Sequence, residues 1–506
     1  MEDPVLSSLY KNSIALFNEL KKTKTENARI KIEGKIDIVR NKIETRLREI
    51  IAEESDDKLG FYPELLDTKF NTKIYNKKEF NDYKAGEMND DICSKNLSFS
   101  LSNQQTLVKN YVSPHTPYNG LLLWWGVGVG KTCAAISIAE GFQTEISKRF
   151  KRNKTLIITS GETLNGGWRR AIFDPIREDR KTDKTINVQC SGDNYANVYN
   201  DKMKLKRRKR QKVDDRAKEA LGNALVNENY NFYGYEKFAN DYEKYERQAV
   251  RLKPDTITTE EAKILMIKEI FSNRVIIIDE AHNTNPQISK KRDKKFSPCI
   301  KKVLRYAENT KLILLSATPI NNSPRDIVWL LNLLLINDKR GTLDEDMFFT
   351  RDGKFINKKM ETLFLEKATG YVSYIRSENP TSYPLRISPI KNLIRSKKNG
   401  EIVAIKTPAK YRMYYPKPDL NDDRDMKLYN YISLVENSMS IYQYANNIAS
   451  MNENKAEFVP FRKSISDTGG RMGLNIIYPT TDENIGVIDG FKKCFTNSDK
   501  TKIVHK

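Results

Sequence analysis

Four short runs dominated by leucine, isoleucine, valine or tryptophan constrain this chain more than any other feature. "GLLLWW" (120–125), "TLIITS" (155–160), "RVIIIDE" (274–280) and "KLILLSATP" (311–319) each lead into a loop of small or polar residues and then into a helical pattern. A strand with one face in water alternates polar with apolar residues, so runs this continuous need cover on both faces. A parallel sheet sandwiched between helices supplies that cover. The fold class expected is therefore α/β, and the loops that follow the strands lie at their carboxyl ends, where open α/β folds bind ligands.

Around this block, placed at residues 61–335, the patterning changes. Residues 10–55 read as one or two charged helices with Ile32, Ile36, Val39, Ile43, Leu47 and Ile50 on one face. A hairpin packed on the main domain and a partner-binding helix both fit, and 1–60 is set apart as an N-terminal helical extension. From Phe61 to Phe80 the Pro and Asn/Asp spacing suggests an irregular lead-in. Between the second and third runs, an insertion at about 200–220 has seven Lys or Arg among the nine residues from Lys202 to Arg210. A solvated helical or disordered segment, a nucleic-acid contact and a nuclear-targeting signal read alike there. Residues 336–506 form a mixed extension in which "WLLNLLLIND" is a buried helix. Arg376 and Arg386 suit either phosphates or acidic residues of the fold; the stretch 391–398 extends the basic character, and 406–415 adds tyrosines, which are read mainly as packing.

Lys plus Arg number 87 against 66 Asp plus Glu, a net charge of +21, which favours polyanionic partners without separating nucleic acid from an anionic membrane or an acidic protein. Cys93, Cys133, Cys190, Cys299 and Cys494 are too few and scattered for a disulfide framework, so a reducing compartment is expected. Three histidines argue against structural zinc. No run of about 18 apolar residues is present, and a soluble intracellular protein without membrane partners is expected.

Three loops carry candidate chemistry. After the first run, Gly126, Val127, Gly128, Val129, Gly130, Lys131, Thr132 and Cys133 follow a phosphate-loop pattern whose first glycine is replaced by Trp125. Glycines let backbone N–H groups turn inward as an anion nest capped by a helix N-terminus. Lys131 can then reach the β- and γ-phosphates and Thr132 can offer its hydroxyl to Mg²⁺. A glycine-rich turn without ligand reads the same in isolation. After the third run, Asp279 is placed to hold Mg²⁺ and Glu280 to polarise the attacking water, although an acidic pair also caps helices. After the fourth, the hydroxyls of Ser316 and Thr318 can bond to the acidic loop, as they can in an ordinary capped turn.

Taken in order, G-K-T, D-E-A-H and S-A-T resemble the first ATPase lobe of superfamily 2 helicases and Swi2/Snf2 translocases, a RecA-like P-loop domain. That resemblance implies ATP and Mg as cofactors and makes Trp125 an allowed variation. It points to Gln105, with Gln104 adjacent as competitor, as the adenine-reading glutamine, and to His282 as the residue coupling the acidic loop to the Ser-Ala-Thr loop. "SPHTPYNGLLLW", "QCSGDNY", "NFYGYEKFAN", "GYVSYIRSENPTSYPLRISP" and "LNIIYPTT" further resemble the helicase-like ATPases of large nucleocytoplasmic DNA viruses, the poxvirus-type early transcription factor small subunit and nucleoside triphosphatase I family. The resemblance covers about 60–490. It implies a double-stranded-DNA-dependent ATPase in viral early transcription, with viral RNA polymerase or transcription-factor subunits as partners and the virion or host cytoplasm as location; the basic run 202–212 leaves the nucleus open.

The family's second RecA lobe supplies an arginine through a Q-x-x-G-R-x-x-R type motif. That motif is not found in these 506 residues, and "GGRMGLN" (469–475) resembles it only superficially. Since an arginine finger is worth roughly 10³–10⁵ in rate, the chain alone is expected to bind ATP·Mg²⁺ and hydrolyse it slowly, with the second lobe on a separate chain, in a split gene, or lost from a fragment. A nucleotide-sensing, DNA-binding transcription module with little hydrolysis is the alternative reading.

Overall fold

A computed structural model of the chain describes residues 3–23, 25–53, 62–82, 101–149, 153–176, 189–208, 214–287, 295–320 and 323–375, together with the short segments 393–394, 434–435, 495–499 and 502–505. Two units are separated between Pro384 and Leu385. In the second, Leu393–Ile394 pairs antiparallel with Leu434–Val435, and Phe495–Asp499 with Lys502–His505. Arg376, Arg386, the stretches 391–398 and 406–415, "LNIIYPTT", "GGRMGLN" and positions 209–213 of the basic run lie outside the described residues.

The first unit is built on a six-stranded sheet in which every pairing is parallel: β1 (Gly120–Trp125), β2 (Thr155–Thr159), β3 (Tyr230–Gly234), β4 (Arg274–Ile278), β5 (Thr310–Ser316) and β6 (Val372–Ile375), in the order β3-β2-β4-β5-β1-β6. Successive side chains of a strand point to opposite faces, and each face has its own core. Leu122, Ile158, Ile276, Ile278, Leu312 and Leu314 pack on one side with the helices Tyr235–Arg251, Phe296–Tyr306 and Ile327–Asn337. Leu121, Leu123, Ile157, Ile277, Ile313 and Leu315 pack on the other, where Ala135 and Ile136 of one helix and Trp168 and Ile172 of another meet them. This double burial is the physical reason for the four apolar runs.

The edge strands carry no such run. β3, "YNFYG", alternates buried and half-buried positions, and β6, "VSYI", has no fully buried residue. β6 also lies past residue 335, where the ATP-binding domain was expected to end. A half-exposed strand has no reason to be continuously apolar, so neither stood out.

At the N-terminus, α1 (Pro4–Lys22) and α2 (Glu26–Glu53) form a hairpin that closes a small core of Leu20, Ile32 and Ile36. α2 packs on the domain through a buried carboxylate. Glu44 sits between Arg340 (3.0 Å) and Lys367 (2.6 Å) and accepts the Gly341 N–H at 2.8 Å. Of the two roles open for these helices, packing on the domain is the one observed. α3 (Phe70–Asn76), α4 (Lys78–Asn81) and α5 (Asn103–Tyr111) lead to β1. The helix Asn194–Arg208 takes in the first part of the basic run, with Met203 buried and Lys204 exposed. Among the described residues no helix is long and apolar enough to cross a membrane.

Candidate nucleotide site

β1 delivers the glycine loop to the carboxyl end of the sheet. Trp125, at the missing glycine position, is fully buried, and its indole N–H donates to Ser373 Oγ of β6 at 2.9 Å. The next residue, Gly126, donates its N–H to the Ile375 carbonyl at 3.3 Å, so the loop leaves the sheet held by the edge strand on two successive residues. Gly128 (φ 83°) and Gly130 (φ 86°) take left-handed backbone, which disfavours a side chain. At Gly130 a Cβ would strike the Gln105 amide, whereas at Gly126 φ is not positive and nothing lies within 4 Å. Two of the three glycines expected to shape the loop are therefore demanded by its geometry.

Val127 is exposed and Val129 packs partly against the core. Lys131 opens α6 (Lys131–Arg149), with Thr132 and Cys133 following. Its ammonium donates to the carbonyls of Trp125 (3.0 Å) and Gly126 (2.8 Å). Burial pulls its pKa down, while Glu280 and Asp279 pull it up, so the acidic pair acts directly on the loop lysine. Gln105 is buried. Its Oε1 accepts the Ser102 N–H at 2.9 Å in a helix-capping box, and its Nε2 donates to the Gly130 carbonyl at 3.1 Å. The neighbouring Gln104 is exposed.

Cys133 corrects one expectation. It is joined to Cys190 in a disulfide, with Cα atoms 4.9 Å apart, although 57 positions separate them in sequence. After α7 (Glu162–Ile172) the chain returns toward α6: the Cys190 N–H donates to Ala171 O at 3.1 Å and Ser191 Oγ to Ile172 O at 2.6 Å. Sequence spacing does not register that return.

The acidic loop leaves β4 with the Asp279 N–H bonded to Ile158 O at 2.9 Å. Asp279 Oδ1 accepts the Glu280 N–H at 3.0 Å, and Oδ2 accepts the indole N–H of Trp168, on α7, at 2.9 Å. Glu280 takes left-handed backbone (φ 49°, ψ 45°), uncommon for a residue with a side chain. The buried hydroxyl of Tyr235 lies 2.5 Å from the Asp279 carbonyl and 3.1 Å from the Glu280 carbonyl, bracing that turn. The Glu280 side chain is 41% exposed, open to a water molecule.

His282 Nδ1 lies 2.9 Å from Ser316 Oγ and 3.5 Å from Glu280 Oε2. Burial pushes the His282 pKa below its ordinary 6.5, against the opposing pull of Glu280 and then Asp279. The ring is thus neutral near pH 7, and its Nδ1 can accept the Ser316 hydroxyl proton while Ser316 Oγ accepts the Thr318 N–H at 3.1 Å. Ser316, fully buried, makes the bond to the acidic loop; Thr318 is exposed and contributes its backbone.

Lys131, the left-handed turn at Gly128 and Gly130, and the Asp279 carboxylate, with Thr132 next to Lys131 at the start of α6, are groups whose chemistry suits a nucleotide phosphate with Mg²⁺. Sequence reasoning missed Trp168, Tyr235 and Ser373. "NGGWRRAI" follows an apolar run and "FYGYEKF" is aromatic-rich, but a buried aromatic gives no sign of which atom its polar tip will find.

Residues 97–321 match the family model described as "Type III restriction enzyme, res subunit". A putative ATP-dependent RNA helicase of Acanthamoeba polyphaga mimivirus is 30% identical over 355 residues, covering 64% of this chain. An early transcription factor large subunit homolog of African swine fever virus is 25% identical over 342 residues, covering 57%. That relative is named for the large subunit, whereas the motifs resemble the small one. The chain spans 28% of the length of each of these two relatives. A solved Sulfolobus solfataricus SWI2/SNF2 ATPase core in complex with dsDNA aligns at TM-score 0.29 and 18% identity, over 55% of this chain and 45% of that one. By the matched family model, the viral relatives and the order of the three loops on a parallel sheet, this chain is similar to the superfamily 2 helicase-like ATPases of large DNA viruses.

Proposed function

We propose that this chain binds ATP with Mg²⁺ and hydrolyses it to track on or remodel duplex DNA in viral transcription, working with a second RecA-like lobe. The observation that carries this reading is the joining of the three loops. His282 bonds to Ser316 at 2.9 Å and lies 3.5 Å from Glu280, so the acidic and Ser-Ala-Thr loops are in contact, and Glu280 and Asp279 pull the Lys131 pKa up against its burial. Lys131 and the nest hold the phosphates, Glu280 orients and deprotonates the attacking water, and His282 with Ser316 reports the outcome. Bound Mg²⁺ supplies electrostatic stabilisation of the charge that develops on the transferred phosphoryl oxygens. The net charge of +21 supports a polyanionic track.

Glu280→Gln is the direct test. Loss of general-base catalysis is expected to lower nucleic-acid-stimulated ATP turnover by about 10²–10⁴-fold while ATP binding survives. Unchanged nucleic-acid-dependent function in that variant would favour the ATP-sensing transcription module instead. Duplex DNA and duplex RNA, assayed side by side over a salt series, separate the two substrates. Binding should weaken steeply with salt and depend little on sequence.

A further inference from the structure

The geometry assigns Trp168 a role beyond packing: it is a positioning residue whose indole N–H fixes the carboxylate of Asp279 for the divalent cation that accompanies the nucleotide. This inference rests on the ATP·Mg²⁺ reading above. Trp168 is 4% exposed, within the core between α6, α7 and the sheet. A phenylalanine would fill most of that volume. What only tryptophan brings is a buried donor, and such a donor needs a partner. Its partner is Asp279 Oδ2, at 2.9 Å.

With Oδ1 taken by the Glu280 N–H at 3.0 Å, each carboxylate oxygen has one donor, and the plane of the group is set by two bonds from different parts of the chain. Each oxygen retains lone-pair capacity for a cation or its water. Tyr235 braces the peptide beneath, through the Asp279 and Glu280 carbonyls, so α7 and the helix after β3 hold side chain and backbone of one loop. Partners that orient a metal-binding group in this way typically matter by about 10–100-fold in metal affinity or activity.

The test measures ATP binding to the full chain by calorimetry across a Mg²⁺ series, for wild type, Trp168→Phe, Asp279→Asn and the double variant. Trp168→Phe is expected to weaken the Mg²⁺-dependent part of binding about 10–100-fold and leave Mg²⁺-free ATP binding unchanged. In the Asp279→Asn background it should add nothing, because the group it orients has lost its charge. A wild-type Mg²⁺ response in Trp168→Phe, or a full further loss in the double variant, overturns the assignment.

A second readout needs neither nucleotide nor a folded Trp168→Phe. In ¹⁵N-labelled protein, Asp279→Asn should move one of the four indole N–H resonances, and a spectrum in which none moves overturns the bond itself. Wild-type protein that binds no ATP·Mg²⁺ at all would sink the proposed function, while the indole spectrum still decides the hydrogen bond.

Discussion

The four inner strands and the two edge strands of this sheet do different work. β1, β2, β4 and β5 are buried over nearly their whole length and supply apolar residues to both cores. β3 alternates buried and half-buried positions and β6 has no fully buried residue, so they supply fewer core residues, yet each adjoins a candidate site loop. β3 runs straight into Tyr235, which braces the acidic loop, and β6 carries Ser373 and Ile375, which hold the exit of the glycine loop. Stability is concentrated in the middle of the sheet, and control of loop geometry at its edges.

The largest expected effect probes that division directly. Ile277→Ala in β4 removes a fully buried side chain and should lower unfolding free energy by about 2–5 kcal/mol. Tyr374→Ala in β6, which loses a tilted contact with Trp124 (ring centroids 4.8 Å) from an exposed position, should cost only about 0.5–1.5 kcal/mol. Equal losses in denaturant titrations would break the distinction. Next in size is the cross-link between α6 and the segment that leads on toward β3. Cys190→Ser should cost about 2–4 kcal/mol, and reductant should bring wild type down to the variant's midpoint. A wild-type midpoint indifferent to reductant would show that the thiols are unpaired in solution.

Legibility in the sequence follows the same line. The inner strands announce themselves because double burial demands continuous apolar residues; Lys131, Asp279 and Ser316 are found because they follow the ends of those strands, and His282 through the family resemblance. β3 and β6 have no such demand on them. Trp168 and Tyr235 look like core aromatics on amphipathic helices, which they also are; only the fold reveals where the indole N–H and the phenol hydroxyl end up. The pairing of Cys133 with Cys190 depends on the chain doubling back after α7. Thr318 was read as equivalent to Ser316, but the strand's end turns its side chain outward and leaves the bond to His282 to the serine alone.

Within the glycine loop, the comparison sharpens to single positions. Gly130→Ala forces a side chain into left-handed backbone, at about 1–2 kcal/mol, and pushes on the Gln105 amide that bonds to the same residue. Gly126→Ala meets open space at ordinary φ and should alter nucleotide-free stability by less than about 0.5 kcal/mol. Thermal melts of the two variants without nucleotide separate them, and a Gly126→Ala loss matching that of Gly130→Ala would mean that the loop in solution is wound differently.

Ser373→Ala is a small change and the one aimed at the edge itself. The backbone bond from Gly126 to Ile375 cannot be removed by substitution without disturbing the strand, so the Ser373 hydroxyl is the accessible handle on the hold that β6 has over the loop. Losing it removes the partner of a buried indole N–H and should cost about 1 kcal/mol of stability. If β6 does no more than close the sheet, ATP affinity should stay put. If β6 sets the exit angle of the loop, part of that loss reappears as weaker ATP binding, up to roughly fivefold, and Ser373→Thr, which keeps the acceptor, restores it. Unchanged ATP affinity in Ser373→Ala, alongside the expected loss of stability, would return β6 to the class of the inner strands and leave β3 as the only edge that reaches the chemistry.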